Sequence, residues 1–425
     1  MDVIEIEGGA PLMGEIEISG AKNSALKVLV AALLTDETLT LSRAPVSLAD
    51  MRLLCELLEG LGAEIDRTRV DEGELAIRVA TISKTTAEYD LVRKMRATFN
   101  VLGPLLARCG RAKVSLPGGC AIGARPVDLH LKALEAMGAK IRLEDGYVLA
   151  EANGGLHGAR IAFPFVSVGA TEHAMMTAAL IPGETLLENA AREPEIADLA
   201  ACLTAMGAEI EGAGGPVVRI QGRDRLRGAR HEIVADRIEA GTFAIAAAAA
   251  PGGDVMLRGA RAAHLGALIE TLAGMGVTLD PAEDGLRVRR SETPLAPVEI
   301  ETAPYPGFPT DLQAQLMALA TQAEGRSEIC EAIFENRFMH APELMRLGAD
   351  IEIEGQCAHI TGPSRLRGAP VMATDLRASV SLVIAALAAE GRTVINRVYH
   401  LDRGFERLEA KLSACGARIT RRRAA

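Results

Sequence analysis

The chain has 425 residues and a formal net charge of −10 at pH 7. This length exceeds what one hydrophobic core usually serves, which predicts two domains or an array of repeats. The acidic balance, the lack of Trp and an aromatic content of 3% argue against a nucleic-acid-binding protein, because such proteins need basic surfaces and stacking rings. The start shows no basic region before an apolar core, and the run from Phe243 to Ala250 is too short to span a bilayer. We therefore expect a cytoplasmic protein without membrane contact.

The cysteines and histidines give no sign of a metal site. Seven cysteines are scattered along the chain without a CxxC pair, and the eight histidines have neither HxH nor HExxH spacing. This pattern predicts reduced thiols, no disulfide framework and no bound metal.

In chain order, the first predicted helix is Ala- and Leu-rich, ends in an Asp turn and leads into a short strand ("NSALKVLVAALLTDETLTL"). Similar segments recur as "GATEHAMMTAALIPGETLLEN", "GTFAIAAAAAPGGDVMLRG" and "LRASVSLVIAALAAEGRTVIN". A second helical pattern follows each of them, as at residues 53–61, and a glycine stops it before an alternating strand such as residues 350–353. Six glycines in the chain end such a helical pattern: Gly62, Gly138, Gly207, Gly276, Gly348 and Gly416.

The glycines recur about every 70 residues, so internal repetition is the main feature of the sequence. One unit reads as strand–helix–strand–helix–strand, and six units in two groups of three predict two similar α/β domains with a cleft between them. The alternative is a continuous α/β solenoid. Solenoid repeats usually span about 20–50 residues, so the longer period favours compact subdomains.

Four segments place cations beside helix starts or glycine-rich loops. Free N–H groups and the helix dipole favour anions at such places. A lone cation there can equally be a solvated surface charge. Cys120 lies in one of these loops, where it is either an inert thiol or, next to a cation, a reactive one. The cations are Lys22, which is followed by Asn23, then Arg96, Arg125 and Arg403.

Three aspartates are candidates for acid–base chemistry. Asp311 follows two prolines at a helix start, where the alternative is a simple N-cap carboxylate. Asp236 and Asp375 have matching positions in their repeats, where the alternative is a structural carboxylate that fixes a neighbouring Arg. No Walker loop is present, and no GxGxxG follows a strand. The sequence therefore disfavours binding sites for nucleoside triphosphates and for dinucleotides.

Long segments throughout the chain match one protein family. They are "GEIEISGAKNSAL", "SLPGGCAIGARPVDLHLKALEAMGA", "SVGATEHAM", "NAAREPEI", "DRIEAGTF", "FPTDLQAQ", "FENRFMH", "ATDLRAS" and "YHLDRGFERLE". In these segments the chain resembles the UDP-N-acetylglucosamine 1-carboxyvinyltransferase family of enolpyruvyl transferases. The related shikimate-pathway enolpyruvyl transferases share the sixfold repeat but lack the cysteine loop in this form.

The resemblance implies an inside-out, barrel-like α/β fold of two similar domains, each made of three repeated βαβαβ-type units. The first domain is expected to span residues 22–233 and to carry the Cys120 loop. The second is expected to combine residues 1–21 with 234–425. The active site would lie in the cleft between the domains.

The resemblance also implies the reaction. The enolpyruvyl group of phosphoenolpyruvate passes to the 3′-hydroxyl of UDP-N-acetylglucosamine by addition and elimination, and phosphate is released. This is the first committed step of peptidoglycan precursor synthesis, so it serves cell-wall biogenesis, cell shape and cell division, and it is the target of fosfomycin. It requires no metal and no organic cofactor, and its partners are these two small molecules.

The family assigns roles to particular residues of this chain. The resemblance implies that Cys120 donates a proton and that Asp311 takes one from the sugar hydroxyl, with Lys22 and Arg403 in the catalytic set. The substrate-binding positions that it implies are Lys22, Asn23, Arg96, Arg125, Pro126, Val127, Asp128, Leu129, Val166, Ser167, Val168, Gly169, Asp311, Ile333, Arg337, Asp375, Arg377 and Arg403.

Two positions depart from the family pattern. Phe165 stands where some relatives carry Lys, so one phosphate contact of the nucleotide is missing or replaced. Lys27 stands where Pro is common, without an evident catalytic consequence.

Two other functions are compatible with parts of this pattern. A shikimate-type enolpyruvyl transferase would act on shikimate 3-phosphate. A catalytically silent paralogue would bind a nucleotide sugar and regulate a partner, but it would have no reason to retain Lys22, Cys120, Asp311 and Arg403.

Overall fold

The computed structural model describes residues 2–117 and 127–423. The strands within these ranges are β1 (Asp2–Glu7), β2 (Met13–Glu17), β3 (Thr38–Ser42), β4 (Glu64–Asp66), β5 (Leu75–Arg78), β6 (Thr86–Ala87), β7 (Arg111–Ser115), β8 (Lys140–Glu144), β9 (Tyr147–Glu151), β10 (Arg160–Ala162), β11 (Glu184–Glu188), β12 (Glu209–Glu211), β13 (Val217–Gln221), β14 (Ala229–Glu232), β15 (Asp254–Arg258), β16 (Val277–Ala282), β17 (Gly285–Arg290), β18 (Glu299–Glu301), β19 (Gly325–Cys330), β20 (Asp350–Glu354), β21 (Cys357–Gly362), β22 (Pro370–Met372), β23 (Arg392–Asn396) and β24 (Arg418–Arg423). The α-helices are α1 (Lys22–Ala31), α2 (Ala49–Leu61), α3 (Tyr89–Val92), α4 (Leu102–Cys109), α5 (Asp128–Ala136), α6 (Val168–Ala179), α7 (Pro194–Ala205), α8 (Arg237–Ala249), α9 (Gly266–Gly274), α10 (Gln313–Ala320), α11 (Ala341–Arg346), α12 (Ser379–Ala388) and α13 (Leu408–Ala414).

The described strands form six separate four-stranded sheets, none of which closes into a barrel. In the sheet β10-β11-β13-β12 the first pair is parallel and the other pairs are antiparallel, and α6 and α7 connect its strands. Each repeat therefore has the predicted strands and helices and one strand more. Strands such as β21 were not predicted, because the alternation in its residues "CAHITG" has only two buried apolar positions, Ala358 and Ile360.

Glycine ends the second helix of a repeat, as the sequence predicts. After α2, Gly62 has φ +112° and its N–H donates to the carbonyl oxygen of Glu59. After α11, Gly348 has φ +103° and donates in the same way to Met345. Residues that carry a side chain rarely adopt these left-handed backbone angles. Glycine, which has no Cβ, can therefore turn the chain into the next strand.

The described chain divides into two compact units. One unit comprises residues 2–19 and 235–423, and the other comprises the described residues between 20 and 234. Each unit has its own continuous cluster of buried apolar side chains. Two separate cores are expected for a chain of this length, because a single hydrophobic core usually stabilises no more than about 250–300 residues.

In the unit of residues 2–19 and 235–423, three helices fill the centre. Helices α8, α10 and α12 pack against one another and are buried on nearly every side, so they consist largely of Ala, Leu and Ile. The sheets flank these helices, with alternate strand residues turned outwards, as in an inside-out arrangement. The N-terminal strands complete two sheets, because β1 pairs with β23 and β24, and β2 pairs with β15.

In the unit of residues 20–234, α1 and α6 are the most deeply buried helices. Helix α1 packs on α2 and α7, and α6 packs on α4, α5 and α7. Strand β14 ends the unit and runs parallel to β3, so it supplies the edge strand of the first repeat. The starts of α1, α5 and α6 are thereby fixed within one core.

A disulfide joins Cys330 and Cys357, so the prediction that no cysteines are paired was wrong. The two residues are directly opposite each other on β19 and β21. Strand pairing places them together across 27 residues of sequence, which no spacing rule reveals. Among the described residues the one candidate set of metal ligands is Glu328, Cys330 and Cys357, and the disulfide occupies both sulfurs.

No helix in the described ranges combines the length and the apolar character needed to cross a membrane.

Candidate active site

Asp311 lies in a 3₁₀ turn, Thr310–Leu312, that leads into α10. The alternative of an N-cap carboxylate is wrong, because this turn has no side-chain cap. The carboxylate of Asp311 faces two guanidinium groups instead. Its Oδ1 lies 2.7 Å from a terminal nitrogen of Arg337, and its Oδ2 lies 3.5 Å from Nε of Arg377. Both arginines are buried.

Burial and charge act on the Asp311 carboxyl in opposite directions. Burial alone would raise its pKa, because it disfavours the charged form. The positive charges of Arg337, Arg377 and Arg237 outweigh burial and hold the pKa well below its usual range. The carboxylate is therefore ionised at physiological pH and can accept a hydrogen bond from a hydroxyl group.

Buried polar atoms without hydrogen-bond partners in the described chain lie close to these charges. They include Oδ2 of Asp375, both ring nitrogens of His340 and Nδ1 of His400. Asp375 acts electrostatically on both histidines, and burial lowers the pKa of His340 to about 4. Since buried polar groups normally have partners, this cluster is where a polar ligand or water would complete the hydrogen bonding.

The other oxygen of Asp375 has a structural role. Its Oδ1 accepts hydrogen bonds from the backbone N–H groups of Arg377 (2.7 Å) and Ala378 (2.8 Å) before α12. Asp236 caps α8 in the same way, accepting from Ile238 and Glu239. Both aspartates are therefore structural carboxylates, but these hydrogen bonds cap helices through backbone N–H groups, whereas the sequence interpretation has them fix a neighbouring Arg; at Asp375 the second oxygen has no partner among the described residues.

Arg403 belongs to the same region. It ends the 3₁₀ turn Val398–Arg403, and the carbonyl oxygen of the next residue, Gly404, accepts from Arg377 at 3.4 Å. Arg403 also acts electrostatically on His400. Ile333 follows β19 and is 37% exposed. This unit thus brings together all six of its predicted site residues, which are Asp311, Ile333, Arg337, Asp375, Arg377 and Arg403.

In the unit of residues 20–234, Lys22 is the first residue of α1 and is 4% exposed. Its Nζ lies 2.6 Å from Oδ2 of Asp50, in the first turn of α2. Asn23 is half-buried beside it. Arg96, also half-buried, begins a 3₁₀ turn, Arg96–Val101, that packs against α1. The structure therefore places the Lys22 helix and the Arg96 turn in contact.

The two predicted nucleotide-binding segments of this unit are also neighbours. Val127 precedes α5, which begins with Asp128 and Leu129, and Ser167 caps α6, accepting from the N–H of Ala170. Val166, Val168 and Gly169 flank that cap, and α5 packs against α6. Phe165, before this segment, is 57% exposed.

A buried histidine pair holds α5 and α6 together. Nδ1 of His130 lies 3.2 Å from Nδ1 of His173, and Nε2 of His173 accepts from the N–H of Gly103 at 2.7 Å. Burial lowers the pKa of His173 to about 3, so it is neutral and its proton is on Nδ1, facing His130. The Cβ position of Gly169 is 3.3 Å from the His130 ring, which makes a larger residue there difficult to fit.

Three predicted site residues, Cys120, Arg125 and Pro126, lie outside the described residues. The free cysteines in the described ranges are Cys55, Cys109, Cys202 and Cys415. Burial raises the pKa of Cys55 to about 11 and that of Cys202 to about 12, and it also raises the pKa values of Cys109 and Cys415. None of these four thiols has the setting of a reactive nucleophile.

Sequence reasoning missed several residues that shape the site. Asp50 looks like an ordinary first-turn acid, Thr310 like a residue before a helix, and Glu331 like a surface acid after a strand. Asp50 pairs with Lys22, and Glu331 is 1% exposed. Only spatial neighbours across the fold reveal these roles, and the sequence alone carries no signal for them.

Comparison with known proteins agrees with this fold. The EPSP synthase (3-phosphoshikimate 1-carboxyvinyltransferase) family profile matches residues 6–412. The chain is 66% identical to the UDP-N-acetylglucosamine 1-carboxyvinyltransferase of Maricaulis maris and 63% identical to that of Hyphomonas neptunium, over 99% of each chain. It superimposes on the enolpyruvyl transferase NikO from Streptomyces tendae with a TM-score of 0.87 and 27% identity, over 100% of this chain and 99% of that one.

A likeness in fold alone extends to EPSP synthase from Acinetobacter baumannii, with a TM-score of 0.75 and 18% identity over 100% of both chains. The chain belongs to the enolpyruvyl transferase family, and within it to the UDP-N-acetylglucosamine 1-carboxyvinyltransferases.

Proposed function

We propose that the chain transfers the enolpyruvyl group of phosphoenolpyruvate to the 3′-hydroxyl of UDP-N-acetylglucosamine and releases phosphate. The observation that carries this proposal is the buried cluster of Asp311, Arg337 and Arg377 in a chain 66% identical to an enzyme of that name. In the cell the reaction would be the first committed step of peptidoglycan precursor synthesis. We propose that it takes place in the cytoplasm.

Phosphoenolpyruvate carries a carboxylate and a phosphate, so its site must be cationic. We assign this role to Lys22, Arg96, Arg125 and Arg403, with Asn23 beside Lys22. The buried Lys22–Asp50 pair supports the assignment, because it holds the ammonium at the start of α1 in one place.

The nucleotide sugar would contact the starts of α5 and α6. The proposed residues are Arg125, Pro126, Val127, Asp128 and Leu129 of one segment and Val166, Ser167, Val168 and Gly169 of the other. The packing of α5 on α6 and the positive ends of the two helix dipoles support a diphosphate there. Phe165 cannot supply the charge of a lysine, so backbone N–H groups would have to hold that phosphate.

The sugar hydroxyl would bind beside Asp311 and Ile333, with Arg337, Asp375 and Arg377 around it. In the addition step the hydroxyl oxygen bonds to the central carbon of phosphoenolpyruvate, its proton passes to Asp311, and Cys120 gives a proton to the methylene carbon. In the elimination step the central carbon loses phosphate and the methyl group loses a proton, which restores the double bond. Anionic groups of the substrates would draw Arg337 and Arg377 away from Asp311 and thereby strengthen it as a base.

Phosphate release tests this proposal. Purified protein should release phosphate only with both substrates, in the presence of a chelator as well as without it, and not with shikimate 3-phosphate as acceptor. Asp311→Asn should lower kcat by about 100-fold or more, because it removes the proton acceptor. The matched control is Asp254→Asn, which breaks an exposed ion pair with Arg287 and should leave kcat within about twofold. Phosphate release from phosphoenolpyruvate with shikimate 3-phosphate as acceptor, but not with UDP-N-acetylglucosamine, would contradict the proposal.

A further inference from the structure

The carboxylate of Glu331 is a buried junction of four hydrogen bonds. Its Oε1 accepts from the hydroxyl of Thr302 (2.8 Å) and from the backbone N–H groups of Ile333 (2.9 Å) and Phe334 (3.2 Å). Its Oε2 accepts from the hydroxyl of Thr310 at 2.7 Å. Glu331 is 1% exposed, so its charge interacts with these donors rather than with solvent.

One of these bonds leads to the ion cluster. The hydroxyl of Thr310 has a single hydrogen, which it donates to Glu331, so its lone pairs are free for another donor. Arg337 uses one terminal nitrogen to donate to that hydroxyl at 2.9 Å and the other to donate to Asp311 at 2.7 Å. The order of donors is therefore fixed from Arg337 through Thr310 to Glu331, and it orients the guanidinium towards Asp311.

The other branch fixes the turn that carries Ile333. Two consecutive N–H groups of this turn end on Oε1 of Glu331, and the N–H of Ala332 donates to Thr302 at 3.0 Å. Phe334, in the same turn, lies under the guanidinium of Arg337, with 5.0 Å from its ring centre to the Arg337 Cζ. Both branches therefore end on residues assigned to the sugar subsite.

We propose that Glu331 is a positioning residue for the nucleotide-sugar acceptor: it sets Ile333 through the backbone and Arg337 with Asp311 through Thr310. This inference rests on the proposed function, which places the sugar hydroxyl beside Asp311 and Ile333. Glu331 itself does not touch the substrate, because its carboxylate is enclosed by its four donors. Its effect reaches the reaction through the geometry of the groups that do.

The rival explanation is that Glu331 only stabilises the fold. The two explanations differ in what they do to the kinetic constants. Loss of fold stability reduces the active fraction and thus the apparent kcat, without a selective effect on one substrate. Loss of positioning raises KM for UDP-N-acetylglucosamine and leaves KM for phosphoenolpyruvate nearly unchanged, because none of the residues that Glu331 positions is assigned to the phosphoenolpyruvate site.

Glu331→Gln is the first test, since glutamine has the same size and retains one acceptor oxygen but has no charge. We expect kcat/KM for UDP-N-acetylglucosamine to fall by about 10- to 100-fold, as for displacements of about 1 Å at a reacting group. KM for phosphoenolpyruvate should stay within about twofold. Thr310→Val is the second test, because it cuts only the branch to Arg337 and keeps the bonds to the turn.

Ser327→Ala is the matched control. Ser327 is fully buried on β19, and its hydroxyl accepts from the N–H of Val298 at 3.1 Å, so the variant also loses one buried hydrogen bond. It should lower the melting temperature without changing either KM. The Glu331→Gln and Thr310→Val effects on kcat/KM should be less than additive in the double variant, because both act on one chain of donors.

The outcomes separate the two proposals. If the wild type is active and both Thr310→Val and Glu331→Gln keep the wild-type KM for UDP-N-acetylglucosamine, the positioning role of Glu331 is refuted and the proposed function is not. Equal changes in both KM values would also refute it. If Glu331→Gln does not fold, Thr310→Val decides the question by itself. A wild type that releases no phosphate from the two substrates would refute the proposed function, and this inference with it.

Discussion

The buried ion pair of Lys27 and Glu172 links α1 to α6 in the core of the unit of residues 20–234. Nζ of Lys27 lies 2.7 Å from Oε2 of Glu172, and the Glu172 side chain is 1% exposed. Burial raises the pKa of Glu172 to about 7 from an ordinary value of 4.5, and the charge of Lys27 limits the rise. Nearby Glu195 and Glu193 add to it. The protein thus holds a carboxyl group that changes charge near neutral pH.

This pair predicts a pH-dependent stability. Because the folded pKa of Glu172 is above the unfolded one, the native state binds more protons, and the free energy of unfolding falls as pH rises from about 4.5 to about 7. In Lys27→Met the pKa of Glu172 rises further, so the fall continues above pH 7. We expect the variant to lose about 3–5 kcal/mol at pH 8, where an unpaired buried charge remains, and less at pH 5.

Urea denaturation at the two pH values measures this difference. The double variant Lys27→Met, Glu172→Gln is the control, since it removes both charges and should therefore lack the additional loss of stability at pH 8 that the single variant shows relative to pH 5. An equal loss at both pH values in the single variant would show that packing, rather than the charge of Glu172, is responsible.

At the residue scale, the sequence predicts the residues of the candidate site better than it predicts the partners that hold buried charged side chains in place. Asp311 and Arg403 could be selected as charged residues beside helix starts and glycines, and the resemblance added Arg337 and Arg377. The partners could not be predicted, because Lys27 and Glu172, or Lys22 and Asp50, meet only through the packing of separate helices. The sequence pattern of α1 gives no reason for a lysine in its buried face.

At the element scale, the disulfide between β19 and β21 is the main feature that the sequence did not predict. It lies directly before Glu331, whose backbone N–H donates to the carbonyl oxygen of Gln356, the residue before Cys357. The cross-link thus closes the end of the sheet from which the Ile333 turn begins. In a reducing compartment this bond would open, and only the strand hydrogen bonds would remain there.

Reduction of this disulfide should lower stability. A cross-link over 27 residues restricts the unfolded chain, which corresponds to roughly 3 to 4 kcal/mol in the chain-entropy account. We expect the oxidised protein to unfold at lower urea concentration when a reductant is added. The Cys330→Ala, Cys357→Ala variant should not respond to reductant, whereas Cys55→Ala, which removes a free buried thiol, should respond as the wild type does. Equal unfolding midpoints with and without reductant would contradict this.

The helices and the glycine stops were predictable because both depend on local patterns. Apolar residues at helical spacing and a glycine with a positive φ are read from neighbouring residues, as at α2 and Gly62. The second strand of each hairpin and the strands that close the sheets were not predictable in this way. Strand β14 pairs with β3, about 190 residues earlier. A pattern of neighbouring residues cannot predict a pairing over that separation in sequence.

At the scale of the whole molecule, the unit of residues 20–234 is one continuous segment, and the other unit is built from two. The ends of the continuous unit meet, since the N–H of Ala21 donates to the carbonyl oxygen of Val234 at 2.7 Å. The two parts of the other unit also meet, because the N–H of Asp236 donates to the carbonyl oxygen of Ser19 at 2.9 Å. Each unit therefore has adjoining ends and its own core.

Each unit should fold by itself. Residues 20–234 can be expressed as a separate polypeptide, and the other unit can be made by joining Ser19 to Ala235 through a short glycine linker. We expect both products to show cooperative thermal unfolding by circular dichroism, because each keeps a complete apolar core. A matched control ends at residue 205 and lacks β12, β13 and β14, so it should be unfolded. Noncooperative melting of the 20–234 product would contradict independent folding.

The pairing of β1 with β24 sets an order of events on the ribosome. Asp2 pairs with Arg423, so β1 finds this one of its two neighbours only roughly 20 to 80 s after its own synthesis at ordinary elongation rates. Residues 20–234 are finished in the meantime. Until β23 and β24 appear, Ile4 and Ile6 of β1, which are fully buried in the finished protein, have no sheet to enter. Nascent chains that have not yet reached β23 and β24 therefore present β1 as an unpaired apolar strand, to which chaperones would bind.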